Sequence, residues 1–592
     1  MRISQKHQTA LALAVIALAT LVITVPFAAQ PFSIDGPETI AFAERQIEQP
    51  FSQDLPSHFS NRGIFFDSYL ETHPKFLPLY LSLVIRATGE PSEVPLHLSL
   101  AIFPFIGAVG MYFLGRRFRV SGLAAALFFL ASPMLMVSSH TEMVDVPGVS
   151  LSIAALAVFI AAVERQRGRW LLSLSALLMI LASQTFFQGL VVLPLALAYL
   201  VIHRQFRIRN LVPIAAAGIF FGAYLLAVVA AYGQLPRLSY RSRLNTMQPT
   251  SALAFLRANL TVLGGTLLFP LVAVAGFLTR WTSILVFVSS SMITWSWSVV
   301  KYVLGDYGLS DMLLLSVMLP VGITITYLMI ERSAAALSSR ENRNSRAGRD
   351  ALFLAVWFFS VLAYTTILLP YPAPRYLLAI VPAAILGLLT IWRAHIRTRW
   401  LRPSLAGSAL ALTLVFSTLL SLTTYTAARN GKVAAEWAIE NYDGTGGAWY
   451  NGTFGFGYYL ERAGFRLVPS VENELYAQTT RSLPLEEPRP GDYVAYSVKD
   501  GAWVPYPSVM QRLRRDQTLV LYNDQIFFMP CAGSDTCWWN SVFLPFRIDT
   551  LGERADTVRT WRIDDEPNPL DESQYELYRE VGITWIEDLE ER

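Results

Sequence analysis

Asp35 stands a few residues beyond the first apolar run of the chain, and Asp145 stands immediately before a later one. Ionisable side chains at the ends of long apolar segments are costly to keep dry, so they point to chemistry. If both reach the rim of one helix bundle, their carboxylates converge on one cavity, where one can take a proton from a hydroxyl. Glu142 lies just before Asp145 and competes with it. Asp145 also precedes Pro147, an arrangement that suits a plain helix N-terminus. Arg375, followed by Tyr376, sits between two apolar runs. A guanidinium there would bind a phosphate bidentately near a membrane surface, although the same pair would also serve as an interfacial anchor. Glu38, Asp54, His58, Asp67, Glu71 and His73 crowd the stretch 30–94, and Arg237, Arg241 and Arg243 add positive charge to a polar segment at 232–258. The two cysteines, Cys531 and Cys537, fit no common zinc spacing. They read as a local disulfide of an oxidising compartment, with two free thiols as the alternative.

Long apolar elements must position these groups. The 592 residues are 53% hydrophobic and 15% charged, where a soluble chain carries about 25% charged residues. A net charge of +3 is too small to indicate a nucleic-acid partner. The run 9–29 follows Arg2 and Lys6 and reads as a retained anchor, although Phe27-Ala28-Ala29 resembles a cleavage site. Further apolar runs lie near 95–115, 121–139, 147–163, 170–184, 188–202, 211–231, 259–279, 281–300, 312–330, 351–370, 376–392 and 404–425. With the first, they predict about thirteen spans, several tilted or broken at Pro or Gly. The shorter run 76–87 reads as an amphipathic helix lying along the interface.

Basic residues set the orientation. Arg116, Arg117 and Arg119 form one cluster, and Arg165, Arg167 and Arg169 the next. His203, Arg204, Arg207 and Arg209 follow, then the segment 332–349, then Arg393, Arg397, Arg399 and Arg402. They occupy alternate connections, so the N-terminus is expected in the cytoplasm and the acidic segments outside. Beyond 426 the apolar runs shorten and charge rises. Helices at 433–441 and 456–463 and strands at 447–450, 493–498, 517–522 and 525–530 predict a small α/β domain outside the membrane.

The order of several short motifs resembles the GT-C superfamily of multi-spanning glycosyltransferases. The likeness is to the branch of lipid A aminoarabinose transferases and protein O-mannosyltransferases. Ile34-Asp35-Gly36-Pro37-Glu38 follows the first span, and Glu71-Thr72-His73-Pro74-Lys75-Phe76-Leu77-Pro78-Leu79-Tyr80 is similar to the family's acidic-x-His-Pro-Pro-Leu-Tyr pattern. Gly115-Arg116-Arg117-Phe118, the turn Ser132-Pro133 and then Glu142 and Asp145 come next. Pro374-Arg375-Tyr376-Leu377-Leu378 resembles the family's Arg-Tyr-Leu-Leu-Pro segment. Gly36 stands where some branches carry Glu, Lys75 where Pro is expected, and Gln188-Gly189 where relatives often have Lys-Gly.

The resemblance implies an α-helical polytopic membrane protein of GT-C fold, with a catalytic domain over 1–425, a first outer loop over 30–94 and an extracytoplasmic α/β domain over 426–592. It implies inverting transfer of a sugar from a polyprenyl-phosphate donor to a lipid, glycan or protein acceptor. Asp35 and Asp145 would be the catalytic carboxylates, Arg375 and Tyr376 would meet the leaving phosphate, and Glu38, Glu71, His73 and Glu142 would line the substrate site. Asp35, Glu38, Asp67, Glu71 and His73 also offer ligands for a divalent cation. A lipid monophosphate needs a metal less than a diphosphate does, so no cofactor is expected to be required. An oligosaccharyltransferase is one rival, but its Trp-Trp-Asp signature is absent and Trp538-Trp539-Asn540 only echoes it. A transporter or lipid flippase is the other, and it would place charge in mid-span and show related halves.

Overall fold

Inside lipid a backbone must satisfy its own hydrogen bonds, so uncharged apolar runs of this length become helices. A computed structural model describes residues 5–49, 74–165, 169–232, 249–267, 281–304, 308–369, 372–395, 401–452, 454–468, 487–497, 509, 512–522, 527–528, 544–548 and 554–564. Its helices are α1 (Gln5–Thr24), α2 (Gly36–Glu48), α3 (Phe76–Thr88), α4 (Glu93–Leu100), α5 (Ile102–Arg117), α6 (Gly122–Ala131), α7 (Pro133–Ser138), α8 (Asp145–Arg165) and α9 (Arg169–Thr185). There follow α10 (Val192–Ile202), α11 (Ile208–Tyr232), α12 (Pro249–Thr266), α13 (Trp281–Val303), α14 (Leu309–Leu337), α15 (Arg340–Asn344), α16 (Arg346–Ile367), α17 (Val381–His395), α18 (Leu401–Glu440) and α19 (Phe454–Arg462).

Among the described residues, 9 helical segments are long and apolar enough to cross a membrane. The count differs from the sequence expectation for local reasons. The run 121–139 breaks at Ser132, which is extended so that Pro133 can open α7. The run 188–202 begins as a 3-10 turn, Phe187–Val191. The run 259–279 is described only to 267. The helices pack closely where side chains vanish. A Cβ on Gly264 would strike the Met318 carbonyl, and one on Gly322 the Leu260 carbonyl, so α12 and α14 approach backbone to backbone.

At one end of the bundle Arg117 binds both oxygens of Asp350 at 3.0 and 3.1 Å and the Tyr199 hydroxyl at 2.9 Å. Glu164 accepts from Tyr199 at 2.8 Å and pairs with Arg117 and Arg346. These contacts tie α5, α8, α10 and α16 together. The opposite end carries Asp35, Asp145 and Arg375, and the C-terminal sheet stands over it.

That sheet has the strand order β2-β1-β3-β7-β4, from β1 (Ala448–Asn451), β2 (Arg466–Leu467), β3 (Tyr493–Ser497), β4 (Leu513–Tyr522) and β7 (Arg554–Ile563). Strand β1 is parallel to β2 and β3, with α19 crossing between β1 and β2, and β7 runs antiparallel to β3 and β4. A separate pair joins β5 (Phe527–Phe528) to β6 (Arg547–Ile548). The expected helix at 433–441 is no separate element; it is the end of the 40-residue α18. Ala434, Ala435 and Ala438 of that helix pack against Tyr450, Phe456 and Tyr493 in the core of the sheet. One helix therefore belongs to both the bundle and the sheet.

Candidate active site

Two distant segments meet at the end of the bundle away from Arg117 and Asp350. After α1 comes a short 3-10 turn, Val25–Phe27, and Asp35 stands at the N-cap position of α2 without making a side-chain capping hydrogen bond. Arg375 lies in the seven-residue 3-10 turn Pro374–Ile380 that opens α17. Pro374 at its first position presets the turn, and Trp357 of α16 donates to the Ala379 carbonyl at 2.9 Å to hold it. Arg375 Nη1 donates to Asp35 Oδ2 at 2.8 Å, and Nη2 donates to the Tyr376 hydroxyl at 3.2 Å. Arg375 also lies 4.9 Å over the Tyr376 ring. The guanidinium is buried, its side chain 8% exposed, whereas the Asp35 side chain is 45% exposed. A fixed buried cation thus faces a carboxylate that is open to the outside, which is not the geometry of an anchor snorkelling to lipid headgroups.

Asp145 opens α8, is buried, and lies within electrostatic reach of both Arg375 and Asp35. Two carboxylates and one guanidinium therefore share this end of the bundle. Glu142 does not line an open rim. It is 1% exposed, its Oε1 lies 2.7 Å from His97 Nε2, and its Oε2 leaves no room for a Cβ on Gly36. His140 stacks on Phe27 at 4.2 Å and its Nε2 donates to the Ile23 carbonyl at 2.8 Å. Burial pushes its ring down to about 3, so His140 is neutral and serves as a spacer under the Asp35 segment.

Glu38 lies in the first turn of α2, where an acidic side chain complements the helix dipole. Opposite it, burial pushes the Lys75 amine down to about 7 against the pull of Glu38, and the amine sits 3.2 Å over the Phe42 ring. The C-terminal region reaches the same segment. The Tyr459 hydroxyl accepts from the Phe32 N–H at 2.9 Å and donates to Glu93 at 3.0 Å, and Lys432 donates to the same carboxylate at 2.8 Å. Burial raises the Tyr459 phenol above its ordinary range, so it stays protonated beside Glu93. Glu71 and His73, with Asp54, His58, Asp67, Arg237, Arg241, Arg243, Cys531, Cys537 and Trp538-Trp539-Asn540, lie outside the described residues. Among the described residues no three His, Cys, Asp or Glu side chains gather as metal ligands.

Sequence reasoning missed His97 and Tyr459. His97 interrupts the apolar run of α4, and a histidine in such a run is a flag in itself. Its partners lie on other segments and leave no local trace. Tyr459 carries no sequence signal beyond its place on a short helix.

A helical bundle of this length, with a guanidinium and two carboxylates gathered at one end, defines a multi-pass membrane protein. Residues 72–232, from just before α3 to the end of α11, match the family described as dolichyl-phosphate-mannose-protein mannosyltransferase. That stretch is similar to the family, and the motifs that resemble the GT-C superfamily lie within it and on either side of it. No curated protein sequence matches the chain. Among solved structures it is similar to ArnT from Cupriavidus metallidurans bound to undecaprenyl phosphate, with 14% identity, a TM-score of 0.43, and 94% of this chain and 98% of that one covered. It is also similar to the archaeal oligosaccharyltransferase AglB from Archaeoglobus fulgidus in complex with an inhibitory peptide and a dolichol-phosphate, with 12% identity, a TM-score of 0.44, and coverage of 87% and 73%. A third similar structure is the arabinofuranosyltransferase AftD from Mycobacteria, with 15% identity, a TM-score of 0.42, and coverage of 96% and 40%.

Proposed function

We propose that this glycosyltransferase moves a sugar from a polyprenyl-phosphate donor to a hydroxyl of a lipid, glycan or protein acceptor on the extracytoplasmic face, with inversion. The observation that carries the reading is the 2.8 Å contact between buried Arg375 and half-exposed Asp35. The matched family's description names a dolichyl-phosphate sugar as donor, and a phosphate on a long lipid needs a guanidinium held at the membrane surface. A donor phosphate would compete with Asp35 for Arg375 and so release the carboxylate beside the sugar. Asp35 then takes the acceptor's hydroxyl proton as that oxygen attacks the anomeric carbon from the face opposite the phosphate. The carbon–oxygen bond to phosphate breaks, and the lipid phosphate leaves with the electron pair onto Arg375 and the Tyr376 hydroxyl. Asp145, fixed at the start of α8, orients the acceptor or sugar and balances the guanidinium. Glu38 lies beside this site on the first turn of α2.

The acidic end is read as facing outward because the basic clusters occupy the other connections. Purified protein offered polyprenyl-phosphate hexoses and pentoses with a crude envelope-lipid acceptor fraction should release lipid phosphate and form a glycosylated product. Transfer only from a polyprenyl-diphosphate glycan offered in parallel, with release of lipid diphosphate, would favour the oligosaccharyltransferase reading, and export of an unmodified lipid the flippase reading.

A further inference from the structure

The segment 28–36 carries Asp35 on a backbone that its own sequence resists. Ile34 has a φ of 53°, a left-handed value that a β-branched residue takes only against steric repulsion. Such a conformation persists only where the surroundings over-determine it. Two side chains outside the proposed chemistry supply that constraint.

His97 Nδ1 faces the Ala28 carbonyl at 3.1 Å and the Glu93 carbonyl at 2.8 Å. His97 Nε2 faces the His140 carbonyl at 3.1 Å and Glu142 Oε1 at 2.7 Å. The three carbonyl oxygens can only accept and they face both ring nitrogens, so both nitrogens donate and the ring is an imidazolium paired with Glu142. Glu142 therefore faces a cation with one oxygen and Gly36 with the other. Ala28 and Gly36 are the two ends of the segment, and the pair clasps both. Gln30 Nε2, donating to the His140 carbonyl at 2.8 Å, ties the stretch between them to the same turn. The clasp is 4% and 1% exposed, so substrate does not reach it.

We infer that His97 and Glu142 are positioning residues for sugar transfer: their buried ion pair holds the strained Asp35 segment against Arg375. The inference deepens the proposed function and rests on Asp35 being the base. Removing either partner leaves the other charge buried and unpaired. Ile34 then relaxes to an ordinary φ, and the next residue, Asp35, turns away from Arg375.

The test uses the full-length protein in nanodiscs, with undecaprenyl phosphate as the binding probe. His97→Gln should speed amide exchange at Phe32 and Gly36 by about tenfold or more, as local opening does. Transfer should fall about 10- to 100-fold, the cost of a misplaced reacting group, while undecaprenyl phosphate binds as well as before or up to about fivefold tighter, because Arg375 is intact and released from Asp35. Adding Ile34→Gly removes the steric penalty and should return about 5- to 30-fold of the loss. A merely structural histidine would not be rescued by deleting an apolar side chain nearby. Glu142→Gln provides a second variant should His97→Gln fail to fold, and the same rescue is expected there. Unchanged exchange at Phe32 and Gly36 in a folded variant overturns the inference, and so does the absence of rescue by Ile34→Gly. If no polyprenyl-phosphate sugar supports transfer by the parent protein, the proposed function fails, while exchange still decides whether the clasp holds the segment.

Discussion

Replacing Asp35 by Asn removes a proton acceptor while leaving an oxygen where Arg375 now donates at 2.8 Å. Binding and chemistry should then move in opposite directions. A hydrogen bond to a charged partner is worth about 1.5–3 kcal/mol. The Asp35 side chain is 45% exposed, and solvent screening cuts its hold on Arg375 to roughly 1 kcal/mol or less. Weakening that hold frees the guanidinium for phosphate, so undecaprenyl phosphate should bind as well as before or up to about fivefold tighter. Transfer should fall by about 100- to 10,000-fold, because an amide cannot take the acceptor's proton. Binding is read in nanodiscs by titration with undecaprenyl phosphate, and transfer by labelled sugar under single-turnover conditions. Undiminished transfer by Asp35→Asn would refute the base assignment and pass the role to Asp145. Weakened lipid binding with a parallel loss of transfer would refute it differently, by making Asp35 part of the donor's binding site.

Arg375→Ala should lose undecaprenyl phosphate binding and about 100- to 1,000-fold in transfer, whereas Arg375→Lys should keep part of both because charge survives without the planar fork; equal activity of the two variants would make the fork irrelevant. Reporter fusions at positions 340 and 430 should report opposite sides of the membrane, and non-reducing peptide mapping should find Cys531 bonded to Cys537. In the five-stranded sheet, burial works to raise the Asp492 carboxyl, but hydrogen bonds from the N–H groups of Arg489 and Gly447 and from Trp449 outweigh it and hold it below the ordinary range. A depressed folded value means that its stabilisation is complete above the unfolded value of about 3.9 and is lost as pH falls through the folded one. Asp492→Asn should therefore lower the thermal unfolding temperature of the sheet at neutral pH and much less at about pH 2; an equal loss at both would discount the carboxylate's charge.

Apolar length alone reveals most of the bundle, because lipid permits little but helix. The interruptions are partly legible: Ser132-Pro133 announces its break through proline chemistry, whereas the turn at Phe187–Val191 has no punctuating residue of that kind. The end of α18 is misread because Arg429 and Lys432 end the apolar pattern while the helix continues through Gly431, held by alanines packed on the sheet. Strand β7 hides because Arg554, Asp556, Arg559 and Arg562 dilute its apolar residues, although Val558 and Trp561 are buried. In the site, Asp35, Asp145 and Arg375 are legible as isolated charges beside apolar runs. Their arrangement is not, because it depends on the left-handed backbone of Ile34, which nothing about an isoleucine advertises. Glu142 is legible as a charge but not as half of a buried pair, since His97 lies on another helix.

The 40 residues of α18 form a rod about 60 Å long, twice the roughly 30 Å hydrocarbon thickness of a bilayer. The rod is gripped at both levels: Ser417 donates to the Ala131 carbonyl at 2.6 Å within the bundle, and Ala434, Ala435 and Ala438 lie in the core of the sheet. A beam clamped at two heights has no hinge between them. The sheet is consequently coupled to the bundle through one continuous helix and not through a loop.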